Sequence, residues 1–551
     1  MLRNIVIIFI FSVLNIYWVG LDNTIPAIGD DARFLHESAL MTQVISSGDV
    51  NQISNKWQTL FIEGTTSVPR TPLFTLTAVP AFLNSGFNED SALISNVAVT
   101  ALTSLLLALF VKELFGHKSY NETLATFSVI IFNLMPATYG FSRLYMSEML
   151  QAFFVLLISL SYLKFRHDLK YKQYFVLGIL WGLALLLRVL TPVYLLVPTI
   201  FFIIWQLDLK KEKVKYFISL LILLITAAAL AATWYLPNFS TYFNFVGDTS
   251  MGEIAGVTSL GPVLSPITWL KFWKVILTWH FGWPMLAFAS VAIIVFILKQ
   301  SRLGIFKSFL RDKMVDLLKE NFSIENEKQV YNAKLFLTLS FIPALVITTA
   351  SLNKTARYFF PVEPFIVILF SYFLYKVWDS NLVIAKLYII LGTIFISIPF
   401  ISSIVPGFPS LPYTNLMYSS ALYQAEDKDQ EKYDFALESL STLQGSYYII
   451  PETVDFNDAA LIWKGIQKGL NINSRGEFSL YNTFEQGLQK ISQADIVILQ
   501  NNAVLADLYQ DKYLQLQAAI KQDGSFSQIG SRTFEDGIII EIYLRNNTNG
   551  N

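Results

Sequence analysis

Apolar stretches of membrane-spanning length recur along the chain as far as residue 404, separated by polar loops, and then stop. A transmembrane helix needs roughly 20 mostly apolar residues. Runs that meet or approach this length lie at 4–21, 91–111, 123–141, 149–163, 174–190, 192–207, 216–236, 281–298, 332–351, 359–378 and 383–404. They predict about eleven membrane helices. The first follows Arg3 and has no small-x-small cleavage site after it, so it reads as a retained helix rather than a signal peptide. Two further stretches, 72–84 and 267–280, are apolar but short, and the second carries Trp269, Phe272, Trp273 and Trp279. Both suit helices lying at the headgroup level.

The first long loop, 22–90, contains a predicted helix over 33–47, opened by Asp30 or Asp31 as cap and closed before Gly48. From about residue 405 polar and charged residues return. Strand-like runs at 447–450, 495–500 and 537–544, with helical stretches near 428–443, 480–492 and 503–521, predict a small α/β domain over 405–551. The fold class expected is therefore a polytopic α-helical membrane domain, 1–404, followed by an α/β domain.

Composition agrees with this division. Apolar residues make up 54% of the 551 and charged ones only 15%, where a soluble domain carries about 25% charge. Lys and Arg (40) balance Asp and Glu (41), which speaks against a nucleic-acid partner. No cysteine and four histidines leave no thiolate chemistry and little for a His-rich metal site.

The distribution of positive charge sets an expected orientation. Lys112 and Lys118, then Lys164, Arg166, Lys170 and Lys172, then Lys210, Lys211, Lys213 and Lys215 fill alternate loops, and loop 299–330 is basic too. Loop 237–268 has no Lys or Arg. The basic loops are therefore expected in the cytoplasm with the N-terminus. Loop 22–90 and the C-terminal domain are expected on the extracytoplasmic face of the cell membrane.

Against that background a few charged residues at the outer face stand out. Gly29-Asp30-Asp31-Ala32-Arg33-Phe34 follows the first span. Asp30, Arg33 and Glu37 would share one helical face. Asp30 in such a place serves equally as a helix cap or as a general base, and the two roles are compatible. Arg70 precedes Pro72-Leu73-Phe74, Arg188 lies near the outer end of a span, and Lys354 and Arg357 flank Thr355-Ala356 before Tyr358. As a set these cations suit a phosphate, although each singly could snorkel to lipid headgroups. Glu148 opens another span as a second acid, with an ion pair to Arg143 as the plain alternative.

These motifs, in this order, resemble the lipid-linked-sugar glycosyltransferases of the GT-C class, especially the aminoarabinose transferase and protein O-mannosyltransferase group. The family's Asp-Glu-x-Arg-Tyr pattern corresponds to Asp30-Asp31-Ala32-Arg33-Phe34, and its Lys-Pro-Pro-Leu to Arg70-Thr71-Pro72-Leu73. Glu148, Arg188 and Lys354…Arg357-Tyr358 follow in sequence order. The departures, Asp31 for Glu and Arg70 for Lys, keep charge. The resemblance implies an inverting transfer of a monosaccharide from a polyprenyl-phosphate donor to a lipid, glycan or protein acceptor at the bilayer surface, with no cofactor. Members close to this pattern need no metal, whereas the oligosaccharyltransferase relatives use a divalent cation, for which Asp30, Asp31 and Glu148 would be the ligands here. The resemblance also implies Asp30 as base, with Asp31 and Glu148 as further catalytic residues; Glu148 would hydrogen-bond the sugar or assist Asp30. Arg33, Arg70, Arg188, Lys354, Arg357 and Tyr358 would bind the donor. The alternatives are a flippase for a lipid-linked glycan, disfavoured by charges at the outer edge rather than at the midplane, and a non-catalytic scaffold.

Overall fold

The computed structural model describes residues 1–21, 29–59, 70–115, 119–165, 170–209, 213–250, 260–263, 265–301, 327–379, 382–405, 408–409, 411, 427–443, 445–453, 456–470, 472–475, 484–503 and 507–546. Several predicted features fall wholly or partly outside them: parts of loop 22–90, most of the basic loop 299–330, and the starts of the helices expected at 480–492 and 503–521. Asp30 is seen only as helical backbone, its side chain lying outside the described residues.

Helices dominate the described residues up to 402. They begin with α1 (Leu2–Leu21), α2 (Gly29–Ser47), α3 (Val50–Thr59), α4 (Val79–Ser85), α5 (Glu89–Phe115) and α6 (Ser119–Leu134). There follow α7 (Pro136–Ser142), α8 (Glu148–Phe165), α9 (Tyr171–Leu187), α10 (Thr191–Leu209), α11 (Lys213–Tyr235) and α12 (Phe239–Ser250). Further helices span Pro266–Ile276, Gly282–Ser301, Glu327–Ala350, Glu363–Trp378 and Val383–Ser402.

Among the described residues seven helices are long and apolar enough to cross a membrane. The run predicted at 123–141 is instead a bent pair, turned by 65° between Leu134 and Pro136, as a proline after a helix end dictates. Three shorter apolar helices, Tyr171–Leu187, Thr191–Leu207 and Leu335–Ala350, occupy other predicted positions. The chain is a polytopic α-helical membrane protein. Its spans expose large apolar side chains such as Phe9, Leu224, Ile225 and Ile384, the pattern of a surface solvated by lipid rather than water.

Where helices meet, small residues let them approach. Gly178 and Gly182 sit four apart on α9, and a Cβ on Gly178 would come within 2.7 Å of the Leu223 carbonyl oxygen on α11. That is the small-xxx-small contact of membrane helix pairs.

The α/β domain is present. Its sheet has the order β2-β1-β3-β5-β4, from β1 (Ser446–Ile450), β2 (Asn473–Ser474), β3 (Ile496–Asn501), β4 (Phe526–Thr533) and β5 (Ile539–Arg545). β1 runs parallel to β2 and β3, while β5 pairs antiparallel with both β3 and β4. β1 and most of β3 are buried throughout, as central strands covered on both faces should be. β4 and the Asp458–Gln467 helix have no counterpart in the sequence reading. β4 is largely exposed and polar, so it lacks the apolar alternation that betrays a strand.

The Asp458–Gln467 helix joins the two parts. Ala459, Ala460 and Leu461 enter the core of the α/β domain, and Ala32 of α2 enters that same core. Trp463 of the same helix belongs to the core of the membrane part and stacks on Phe82 of α4 at 5.7 Å. The acid-bearing helix α2 is thus clamped between the domains.

Candidate functional site

Two clusters, three residues apart in the sequence, bring most of the expected site residues together. The first centres on Tyr145, in the turn before α8. Its backbone N–H donates to Asp31 Oδ1 at 3.0 Å. Its hydroxyl shares hydrogen bonds with Ser38 of α2 at 3.0 Å and with Thr77 at 3.1 Å. Its ring packs against Phe74 at 4.6 Å. Phe74 in turn meets Phe34 edge-on at 4.9 Å, and the Arg70 guanidinium lies over the Phe34 ring at 5.0 Å. The 3₁₀ turn Pro72–Thr77 that follows Arg70 buries Pro72, Phe74 and Thr75, so this stretch packs into the protein. Burial pushes the Tyr145 hydroxyl up to about 12, against its bonds to Ser38 and Thr77, so it works as a neutral strut. Asp31, 1% exposed, ties α2 to this turn.

Helix α2 starts at Gly29, so Asp30 and Asp31 lie in its first turn, where an acid also suits the helix dipole. It ends as expected at Gly48, whose φ of +68° is a left-handed value that glycine accepts freely. Arg33 is buried beside Ala32, and Glu37 is buried with Lys56 Nζ at 3.5 Å from its Oε2.

The second cluster centres on Glu148, the first residue of α8. Its carboxylate is fully buried. Arg188 Nη1 donates to Glu148 Oε1 at 2.6 Å, and Arg357 Nε stands 3.6 Å from the same oxygen. Both guanidiniums flank the Tyr358 ring, at 5.1 and 5.6 Å. Tyr194 of α10 fixes that segment by donating to the Tyr358 carbonyl at 2.7 Å. Arg188 falls in the short break between α9 and α10, where its backbone is extended.

The pairing of Glu148 with Arg143 is not realised. Arg143 donates to Asn15 Oδ1 and Ser403 Oγ, both at 2.8 Å, and lies over Trp18 at 5.0 Å. Lys354 stands apart from Glu148: its ammonium donates to the Thr349 carbonyl and lies over Phe272 at 5.3 Å. Burial holds its pKa below the usual lysine value.

A second buried titratable pair was not legible as such in the sequence. His280 Nδ1 contacts Glu363 Oε1, and both residues are completely buried. His280 sits in a π turn, Leu277–Phe281, a local irregularity often found near functional sites. Its ring packs near Phe141 and Phe359 at 6.4 and 6.2 Å. The signal available was a lone acid inside an apolar span, since such charges are rare in membranes without a purpose. Among the described residues no three His, Asp or Glu side chains converge as a metal site would require.

Chemically, among the described residues the Glu148 cluster brings two guanidiniums to one buried carboxylate, at helix ends. Such a site can accept a further anion with planar, bidentate donors.

Residues 70–234 match the family model described as dolichyl-phosphate-mannose-protein mannosyltransferase. No curated protein sequence matches the chain. Among solved structures, ArnT from Cupriavidus metallidurans bound to undecaprenyl phosphate superposes with a TM-score of 0.55 at 12% identity, covering 98% of this chain and 97% of that one. The apo state of that protein gives 0.53 at 14% identity, with coverage of 98% and 97%. The chain is therefore an integral membrane protein with the fold of ArnT, and its residues 70–234 are similar to the dolichyl-phosphate-mannose-protein mannosyltransferase family.

Proposed function

We propose that this protein is an inverting glycosyltransferase that moves a monosaccharide from a polyprenyl-phosphate donor to a lipid, glycan or protein acceptor. The observation that carries the reading is the buried Glu148 carboxylate set between Arg188 at 2.6 Å and Arg357 at 3.6 Å, which gathers two guanidiniums at one point. A phosphate diester is the anion that paired guanidiniums suit, and the undecaprenyl phosphate in the ArnT structure supports the same class of lipid.

In this reading Asp30 accepts the proton of the acceptor hydroxyl or amine as its heteroatom attacks the anomeric carbon. The bond from that carbon to the phosphate oxygen breaks, and its electron pair leaves on the polyprenyl phosphate. Attack opposite the leaving group inverts the centre. Arg70, Arg188, Arg357 and Tyr358 hold the departing phosphate, with Arg33 and Lys354 adding positive potential. Polyprenyl phosphate is a competent leaving group, so preorganised cations and one base suffice. Asp31 holds α2 in place through Tyr145, which orients Asp30 rather than replacing it. The membrane part, 1–404, would carry the chemistry on the extracytoplasmic face, with the N-terminus in the cytoplasm and the 405–551 domain outside.

The test is release of bare undecaprenyl phosphate from its sugar-bearing forms, followed by mass spectrometry after the purified protein meets a cell-envelope extract. The wild type should release it and Asp30→Asn should be at least about 100-fold slower, the scale of losing a general base. Equal release by both proteins would remove Asp30 from the mechanism.

A further inference from the structure

One turn beyond Glu148 on the same face of α8 stands Gln151. It is completely buried, and neither its amide nitrogen nor its amide oxygen has a hydrogen-bond partner. Among the described residues no other side chain has both of its polar atoms in this condition. Glu148 adds a third orphan: while Oε1 receives Arg188, the buried Oε2 has no partner. Orphaned polar atoms are costly in a membrane interior, where no bulk water can reach them.

We propose that the Gln151 amide extends the sugar contact expected of Glu148 into a subsite for two adjacent hydroxyls of the sugar being transferred, an inference that rests on the function proposed above. The donor and acceptor counts match. A vicinal diol brings two O–H donors, one for Glu148 Oε2 and one for the Gln151 amide oxygen, and its lone pairs accept the amide N–H. The placement matches too. Gln151 lies about 4.5 Å along the helix axis from Glu148, whose other oxygen carries the phosphate-facing Arg188. A sugar joined to that phosphate at its anomeric carbon would put its ring hydroxyls a short step further on. Gln151 is thereby a specificity residue, reading the sugar and not the lipid.

The experiment titrates the full-length protein in lipid nanodiscs with bare undecaprenyl phosphate and with undecaprenyl phosphate bearing glucose, mannose or galactose. Together these sugars present cis and trans diols at both vicinal ring positions. The wild type should bind at least one sugar-bearing lipid about tenfold more tightly than the bare lipid, the worth of one or two well-made hydrogen bonds. Gln151→Met, similar in size, should lose that preference while binding bare lipid as before, which also certifies its fold. Gln151→Glu keeps an acceptor and removes the N–H donors, so it should lose part of the preference. An unchanged preference in both variants, or no preference in the wild type for any of the three sugars, would overturn the subsite. Failure of the wild type to bind the bare lipid would instead strike the phosphate reading itself.

Discussion

Ion pairs of nearly equal length serve different ends in the two parts of this molecule. In the α/β domain Lys468 meets Asp434 at 2.7 Å with side chains 45% and 46% exposed, and Arg532 meets Glu431 at 2.8 Å with 48% and 57% exposed. In the membrane part Arg188 meets Glu148 at 2.6 Å, but the acid is fully buried and the arginine only 18% exposed. Water screens the first kind, which contributes about 0–1 kcal/mol each. The second cannot lose one partner without stranding a charge, and its formation was itself opposed by desolvation. Contact length says nothing about this difference; environment decides it. Burying charges at this cost is poorly explained by stability alone.

Substitutions of graded severity test that contrast. Arg188→Leu should have the largest effect. It leaves Glu148 facing only Arg357 in a dry site, which should cost about 3–5 kcal/mol and abolish donor binding; thermal unfolding and lipid titration would check the two effects separately. A small loss of stability would mean that Glu148 is wetter than its burial implies. Trp463→Ala should come next, because it empties the contact with Phe82 at about 3 kcal/mol. It acts on the clamp around α2, so turnover should fall through kcat while affinity for bare undecaprenyl phosphate holds.

The paired replacement His280→Phe with Glu363→Leu sharpens the comparison. If that pair is structural alone, an apolar pair of similar volume should change stability by less than about 2 kcal/mol in either direction, whereas His280→Phe alone should destabilise clearly. Smallest of all, Lys468→Ala should shift stability by under about 0.5 kcal/mol, read as a change in denaturation midpoint. A shift as large as that for Arg188→Leu would erase the distinction drawn between the two parts.

Much of the architecture was legible because the membrane imposes a coarse rule. Long apolar runs gave most helix positions, and the return of polar residues near 405 gave the second domain. The bend after Leu134 escaped because apolar composition continues through it, although Pro136 marked the break. At the site, acid and cation positions were legible from charges at the ends of apolar runs, but their partners were not. Glu148 takes Arg188, 40 residues away, and Arg357, rather than the nearby Arg143. Such pairings depend on which helices are neighbours, and that is decided by contacts such as Gly178 against Leu223. Tyr145, Gln151 and Trp463 passed unnoticed because an aromatic or amide in an apolar stretch looks like core until its partners, or their absence, can be counted.

The central claim is that the Glu148 cluster holds a polyprenyl phosphate. Native mass spectrometry of the wild type and of Arg357→Gln, each titrated with undecaprenyl phosphate, tests it most directly. Arg357→Gln is chosen because Glu148 keeps its closer partner, Arg188. The account predicts one lipid bound per wild-type protein and an affinity at least about tenfold weaker in the variant, as the loss of one charge-assisted contact requires. Equal affinity in the two proteins would contradict it.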